Sequence, residues 1–465
     1  MEGAGYRDLL KSLFQGRSVI LAGGVATNWT STVPLVRSLG AVDVLVIGTQ
    51  GRGAGPLPDP GDATVLALPD PPAKSMMAAI HAGLARLHTP PAEVLDAVRR
   101  FDPAGTALVL TDFLGTAPEL DGRPFLAYRR PEWVALEDKT LVDDFWERTG
   151  VEHAPSIVVP ARRADLLAAA RRVSSTAGSV WSGDTKEGFN GGAEFVRWVR
   201  TASNAEEAAR FFAAHCERVR VMPFLDGIPC SIHGIVFPDH VAASRPVEML
   251  TLRLRQGSAA HAFFYAGCAS FYDPPAPTRD RMSAIAYRVG AALRAEVGFR
   301  GAFTVDGVVD GETFLPTELN PRMGAGLSVL SRGLPGLPIE LLMAALVGGV
   351  DLGYDPAEFE ADLVTGADAR RFGGTWRVVP GSATDARIDI PLAYTDGTWH
   401  WAADGEPAAG ELTTGRAASG MFARCAFRAD QTPIGASVGP RAASFWAFAD
   451  RELGTRVGPL TAATP

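Results

Sequence analysis

Residues 301–326 read GAFTVDGVVDGETFLPTELNPRMGAG: two apolar runs, 301–309 and 312–319, meet at Asp310-Gly311. An Asp-Gly step between such runs predicts a β-hairpin, because a tight turn needs residues that accept positive φ. Side chains alternate faces along a strand. Glu318 and Asn320 therefore point the same way, and the turn brings Asp306 alongside them. Three oxygen ligands gather at one end of a sheet without histidine or cysteine. That donor set suits a hard cation, Mg²⁺ or alternatively Mn²⁺, bound by few protein oxygens and mainly by substrate phosphates. Any one of these acids alone would read as solvated surface; the joint pattern, backed by Pro321-Arg322 and the turn of Gly324 and Gly326, points to chemistry.

Upstream, the first third of the chain alternates short apolar runs (18–22, 42–47, 64–68, 106–111) with helical spacing at 75–88 and 92–101. Strands alternating with helices predict a parallel, doubly wound sheet. The glycines after the first two runs could offer backbone N–H groups to phosphate or simply serve tight strand-to-helix turns; neither turn matches a dinucleotide fingerprint. Near residue 131 the character changes. A charged amphipathic helix is expected over 137–149, capped by Gly150, and a glycine-rich stretch, SGDTKEGFNGG at 182–192, separates two strands of a further hairpin. The tail after about residue 355 leans to β, with candidate strands at 375–379, 388–394 and 399–401.

The 465 residues are too many for one ordinary core. With 47% hydrophobic and 21% charged residues the chain belongs with folded globular proteins. A formal charge of −8 argues against a non-specific nucleic-acid binder, which needs a basic footprint. No signal peptide and no run of about 20 apolar residues is visible, so a cytoplasmic protein without a membrane span is expected. Four scattered cysteines and eight scattered histidines make neither a disulfide framework nor a zinc site.

Only four of the 44 basic residues are lysines: Lys11, Lys74, Lys139 and Lys186. In a chain so biased towards arginine, a retained lysine suggests a need for a compact ammonium group. Arg253 and Arg255 share one face of an expected strand, 247–254.

Glu318-Leu319-Asn320-Pro321-Arg322 resembles the last metal-binding strand of the ATP-grasp superfamily, which reads acidic residue, x, Asn-Pro-Arg. The resemblance covers about 131–350 and, more loosely, the N-terminal sheet; within the superfamily the chain looks closest to pheganomycin-type peptide ligases of secondary metabolism. It implies an α/β (α+β) fold: a Rossmann-like pre-ATP-grasp domain (1–130), ATP-grasp lobe A (131–222), lobe B with the metal site (223–350), and a small β-rich C-terminal segment (351–465). It also implies roles. Lys139 contacts ATP phosphates; Lys186 reaches in from the glycine-rich flap, where N–H groups near Gly191 and Gly192 donate to phosphate. Met222, Pro223, Phe224 and Leu225 form the hinge, with the Pro223 carbonyl and Leu225 N–H reading the adenine edge. Arg253 and Arg255 lie towards the γ-phosphate, and Arg322 neutralises an acyl phosphate. The sequence departs from the family at Trp181-Ser182, where the second lysine usually stands, at Met222 (usually acidic), at Thr304 (usually Arg), and near Pro229, where the ribose Glu is expected.

The implied activity is ATP-dependent joining of a small-molecule carboxylate, such as an amino acid or peptide, to an amine, with ADP and phosphate released and a homodimer among the expected assemblies. The alternatives are a nucleotide-binding regulator on the same fold and another ATP-grasp phosphoryl transfer.

Overall fold

The structure, a computed structural model, describes residues 2–51, 55–186, 188–254, 262–381 and 386–463. Arg255 lies outside them.

Strands β1 (Ser18–Val25), β2 (Asp43–Thr49), β3 (Thr64–Leu68) and β4 (Leu108–Thr111) form a parallel sheet in the order β3-β2-β1-β4. Both faces are covered, as a parallel sheet requires. Alternate residues of β1 and β2 enter different cores: Val19, Leu21, Val44 and Val46 pack on one side, Ile20, Ala22, Leu45 and Ile47 on the other. Helix α1 (Met76–His88) starts where the Ser75 hydroxyl accepts the Ala78 N–H, satisfying an orphan donor of its first turn.

A second, antiparallel sheet holds β5 (Ile157–Pro160), β6 (Ser179–Gly183), β7 (Val196–Val199) and β8 (Arg218–Pro223) in the order β5-β8-β6-β7. The largest sheet, of eleven strands among the described residues, begins with β9 (Ile228–Val236), β10 (Val241–Ala243), β11 (Val247–Arg253), β12 (Phe263–Ala269), β13 (Gly301–Asp310) and β14 (Thr313–Asn320). It continues through β15 (Gly373–Val379), β16 (Arg387–Thr395), β17 (Thr398–Trp401), β18 (Gly410–Ala417) and β19 (Gly420–Phe427). Its order is β14-β13-β9-β11-β12-β15-β19-β18-β16-β17, with β10 beside β9. The C-terminal strands therefore extend the sheet that carries the 301–320 hairpin: Gly267 of β12 pairs with Thr375 of β15.

The hairpin pairs Asp306 with Glu318 and Thr304 with Asn320. Its two-residue loop is Gly311-Glu312, one position later than Asp310-Gly311, since Asp310 pairs with Thr313 and Gly311 takes φ +58°. The register shifts after Asp306, where Gly307 opposes Pro316. Pro316 has no N–H to give a ladder, and a bulge is where a strand tolerates that. A second correction concerns the helix expected over 137–149. Helix α2 (Val142–Thr149) begins only at Val142, because the Asp138 carboxylate accepts the Thr140 N–H (2.8 Å) and hydroxyl (2.7 Å) and turns the chain first. Gly150, at φ +64°, ends it as expected. No helix among the described residues is long and apolar enough to cross a membrane.

Candidate functional site

Between the second sheet and the large sheet lies a cleft of about 440 Å³, its floor formed by the bulged end of the hairpin. Asp306 and Glu318 face each other there, as register partners. Ser231, opposite Asp306 on β9, donates its hydroxyl to Asp306 Oδ1 at 2.5 Å. Burial, and next the Glu318 carboxylate, push the Asp306 carboxyl up to about 7. Lys139 Nζ sits 2.8 Å from Glu318 Oε1 and is itself buried. The turn made by Asp138 delivers Lys139 from a loop, not from a helix, into this charge cluster.

Asn320 also lines the cleft, yet its oxygen does not join the two carboxylates. Its Nδ2 donates to Asp306 Oδ2 (2.9 Å), and its Oδ1 accepts from Arg322 Nη2 (3.1 Å). Turning the amide over would place that oxygen beside Asp306. Two carboxylates and one amide, with no histidine or cysteine, fit a hard divalent cation. The raised Asp306 carboxyl marks a shortage of positive charge that Lys139 and Arg322 only partly offset. Asp306, Glu318 and Asn320 would hold the ion. Among the described residues no cluster of three or more His, Cys, Asp or Glu exists that could bind a metal in another way.

Arg322 stands at the edge of the cleft. Its Nε donates to Glu137 Oε1 at 3.1 Å, and the same oxygen accepts Arg129 Nη1 at 2.5 Å. Glu137, with a side chain 2% exposed, thus holds two arginines. Sequence reading missed it, because a glutamate beside Asp138 and Lys139 reads as part of a charged helix face.

At the other end, Met222, Pro223, Phe224 and Leu225 line the cleft. The Phe224 N–H donates to Gly178 O (3.0 Å), whereas the Leu225 N–H has no backbone partner among the described residues. Phe224 stacks on Trp198, ring centroids 4.2 Å apart. Arg253 belongs to this end and not to the end of Asp306 and Glu318, where a role at the γ-phosphate was expected of it. It lies six residues along β11 from Val247, the partner of Ser231, which is about 20 Å at strand rise. Its Nη1 meets Asp226 Oδ1 at 2.5 Å, and its guanidinium lies 4.9 Å from the centre of the Phe224 ring. Arg220, which sequence reading did not single out, lies beneath the cleft, its Nη2 paired with Asp143 Oδ1 at 2.6 Å and its Nη1 donating to Thr317 O at 3.1 Å. It ties α2 and the hairpin to β8.

Gly191 and Gly192 line the cleft; Gly192 and Ala193 adopt φ +59° and +64°. The loop leans on the N-terminal domain, where His81 Nε2 lies 2.8 Å from Phe189 O. Lys186 does not reach in. The Asp184 carboxylate accepts the N–H groups of Lys186, Glu217 and Arg218, which holds the loop base outward, and Lys186 Nζ pairs with exposed Glu217 at 3.3 Å. If the cleft takes ATP as substrate, Lys186→Met is expected to change kcat/KM for ATP by less than roughly threefold, since an exposed ion pair contributes little. Lys139→Met should lower it about a hundredfold or more, since it removes a preorganised charge from a water-poor site. Steady-state rates of both variants check this, and equal losses would contradict the placement.

No family model matches the chain, and no curated protein matches it in sequence. Solved structures do match in shape. Biotin carboxylase from Campylobacter jejuni, in a beta-gamma-ATP complex, aligns with TM-score 0.58 at 13% identity over 90% of this chain and 88% of its own. N5-carboxyaminoimidazole synthase from Aspergillus clavatus, in complex with ADP and 5-aminoimidazole ribonucleotide, aligns with TM-score 0.51 at 12% identity over 90% and 94%. N5-carboxyaminoimidazole synthetase from Staphylococcus aureus, complexed with ADP, gives TM-score 0.50 at 11% identity over 93% and 97%. The chain has the fold of these proteins, mixed α/β, with a parallel sheet ahead of a large antiparallel sheet that runs on into the C-terminal part.

Proposed function

We propose that the protein is an ATP-dependent ligase that activates a small-molecule carboxylate as an acyl phosphate and transfers the acyl group to an amine. The observation that carries this reading is the facing pair Asp306 and Glu318, with Lys139 against it, on the floor of a cleft that Arg322 borders. A carboxylate oxygen of the acid attacks the γ-phosphorus of ATP, the bond to the β–γ bridging oxygen breaks, and ADP leaves. The amine then attacks the acyl carbon, phosphate departs, and the amine proton passes to solvent. Little covalent chemistry falls to the protein; positioning and charge neutralisation dominate. A divalent ion, when bound, neutralises phosphate charge. Lys139 and the N–H groups around Gly191 and Gly192 hold phosphate, Arg322 faces the acyl phosphate, and the glycine loop keeps water away. The adenine-end residues Met222, Pro223, Phe224 and Leu225 bind the base, an arrangement supported by the nucleotide complexes of structures with the same fold.

The reading is tested by incubating the protein with ATP, MgCl₂, hydroxylamine and a panel of carboxylic acids. ADP, phosphate and an acyl hydroxamate, formed together and only with particular acids, are expected. AMP and pyrophosphate would overturn the reading, and tight ATP binding with no turnover across the panel would favour a nucleotide-binding regulator.

A further inference from the structure

A second cavity, of about 410 Å³, lies between the C-terminal ends of β1 and β4 and the segment that follows β14. Phe113 and Arg322 line both it and the nucleotide cleft, so the two adjoin at Arg322. β1 has β2 on one side and β4 on the other. The crevice where strand order reverses in this way is where open parallel sheets bind ligands. Its walls are largely apolar, with Trp29, Leu35, Trp133, Phe299 and Val347 among them.

One carboxylate in this cavity is met by backbone N–H groups and by no side-chain hydrogen bond among the described residues. Asp112, half-buried just past β4, accepts the Leu114 N–H with Oδ1 at 2.9 Å. The Gly115 N–H also faces the carboxylate, but no side-chain donor meets Oδ2 among the described residues; it stands over the turn of Gly23 and Gly24, whose φ values are +117° and +61°. A Cβ at position 24 would lie 3.1 Å from that oxygen, so the glycines leave it open. Beside it, Thr111 Oγ1 is buried without a hydrogen-bond partner among the described residues. The neighbouring guanidinium, Arg129, is engaged with Glu137 and lies over the Phe189 ring at 4.6 Å. Burial outweighs the attraction of Arg129 and lifts the Asp112 carboxyl above its ordinary range. A carboxylate so placed is costly unless a cation or donor meets it.

We propose that this cavity receives the acid substrate, and that the acid is an aminocarboxylate with an apolar body: its carboxylate at Arg322, towards the phosphates, and its ammonium on Asp112 Oδ2. This rests on the ligase reading and adds to it the class of acid and the residue that selects it. An acid lacking the amino group leaves Asp112 desolvated and unpaired, which is how a buried polar group rejects an analogue. Asp112 is a specificity-determining residue here; it takes no part in phosphoryl transfer.

The test uses L-phenylalanine, L-leucine and L-methionine, each against its counterpart without the amino group (3-phenylpropanoate for phenylalanine). Hydroxylamine serves as the common nucleophile, so the natural amine does not enter. With wild type, kcat/KM for at least one amino acid should exceed that of its counterpart tenfold or more. In Asp112→Asn, which keeps the acceptor for the Leu114 N–H, the ratio should fall towards one. Gly24→Ala, which crowds Oδ2, should move the ratio in the same direction. Calorimetric binding of the same pairs in the absence of turnover gives an independent arm. Preferential binding of the amino acid, abolished by Asp112→Asn, would uphold the site even if no ADP were released and the ligase reading failed. Equal kcat/KM and equal binding within every pair, or a preference that survives Asp112→Asn, would overturn the proposal while leaving the ligase reading intact.

Discussion

Asp306→Asn is expected to lower acid-dependent ADP release about a thousandfold or more, and yet to leave the metal-free protein at pH 8 at least as stable as wild type. Both effects come from one arrangement. Asp306 faces Glu318 in the hairpin register, and burial with that second carboxylate pushes its own carboxyl up to about 7. In the unfolded chain the same group titrates near ~3.9. A folded-state value above the unfolded one means that its contribution to stability is full below about 4 and is lost as pH rises through about 7. At pH 8 the wild-type protein without metal therefore carries the whole penalty, on the order of a few kcal/mol before local relaxation. Asparagine carries no charge to penalise, keeps an acceptor for the Ser231 hydroxyl, and fits once the Asn320 amide turns over. Urea unfolding of both proteins with EDTA at pH 5 and pH 8 measures the difference. The stability of Asp306→Asn relative to wild type should grow between the two pH values. A constant gap would mean that Asp306 is not held against an uncompensated negative charge. Added Mg²⁺ and ATP should stabilise wild type more than the variant, since anything that binds the folded state alone shifts unfolding.

Much of this site could be read from residues 301–326 because strand geometry leaves few choices. Period two puts Glu318 and Asn320 on one face, and a short hairpin brings Asp306 opposite. What that geometry does not contain is where side chains that share a face find their partners. Asn320 points as expected but gives its oxygen to Arg322, and Lys186 is drawn to Glu217 by a loop whose base Asp184 fixes from three backbone N–H groups. Arg253 illustrates the same limit over a longer range. Alternation fixed its face, but its distance from the carboxylates depends on the β9–β11 register, which follows only from the folded sheet. The C-terminal part was the least legible. The tail leans to β in sequence, with candidate strands only as far as residue 401, yet Gly439-Pro440 opens α3 (Gly439–Leu453), which buries Phe445, Trp446 and Phe448 against the large sheet. Proline in the first turn gives up only an N–H that has no helical partner. The start of that helix is held by Glu248 of β11, whose carboxylate accepts the Val438 and Gly439 N–H groups, a contact nearly two hundred residues away in sequence.

The same long-range logic gives Glu137 the largest expected effect on stability. Replacing it with leucine should cost about 3–5 kcal/mol, the range for removing one partner of a buried ion pair. Glu137 Oε1 is shared by Arg129, which follows the N-terminal sheet, and Arg322, which follows the hairpin of Asp306 and Glu318. Without the carboxylate two guanidinium groups would face each other in a poorly solvated space; their mutual repulsion already helps to lower the Arg129 value below its usual range, after burial. Among the described residues the Arg322 guanidinium would keep its hydrogen bond to Asn320 Oδ1 and no other, so its hold at the junction of the two cavities would loosen as well. Two readouts follow from the two arginines. The urea midpoint of Glu137→Leu should fall sharply, and at temperatures where the variant remains folded kcat should drop with Arg322 misplaced. Glu137→Gln retains one acceptor for the arginines and should lose less of both. If Glu137→Leu unfolds within about 1 kcal/mol of wild type, the two arginines must find water or other acceptors in its absence, and the carboxylate cannot be what fastens the N-terminal domain to the floor of the cleft.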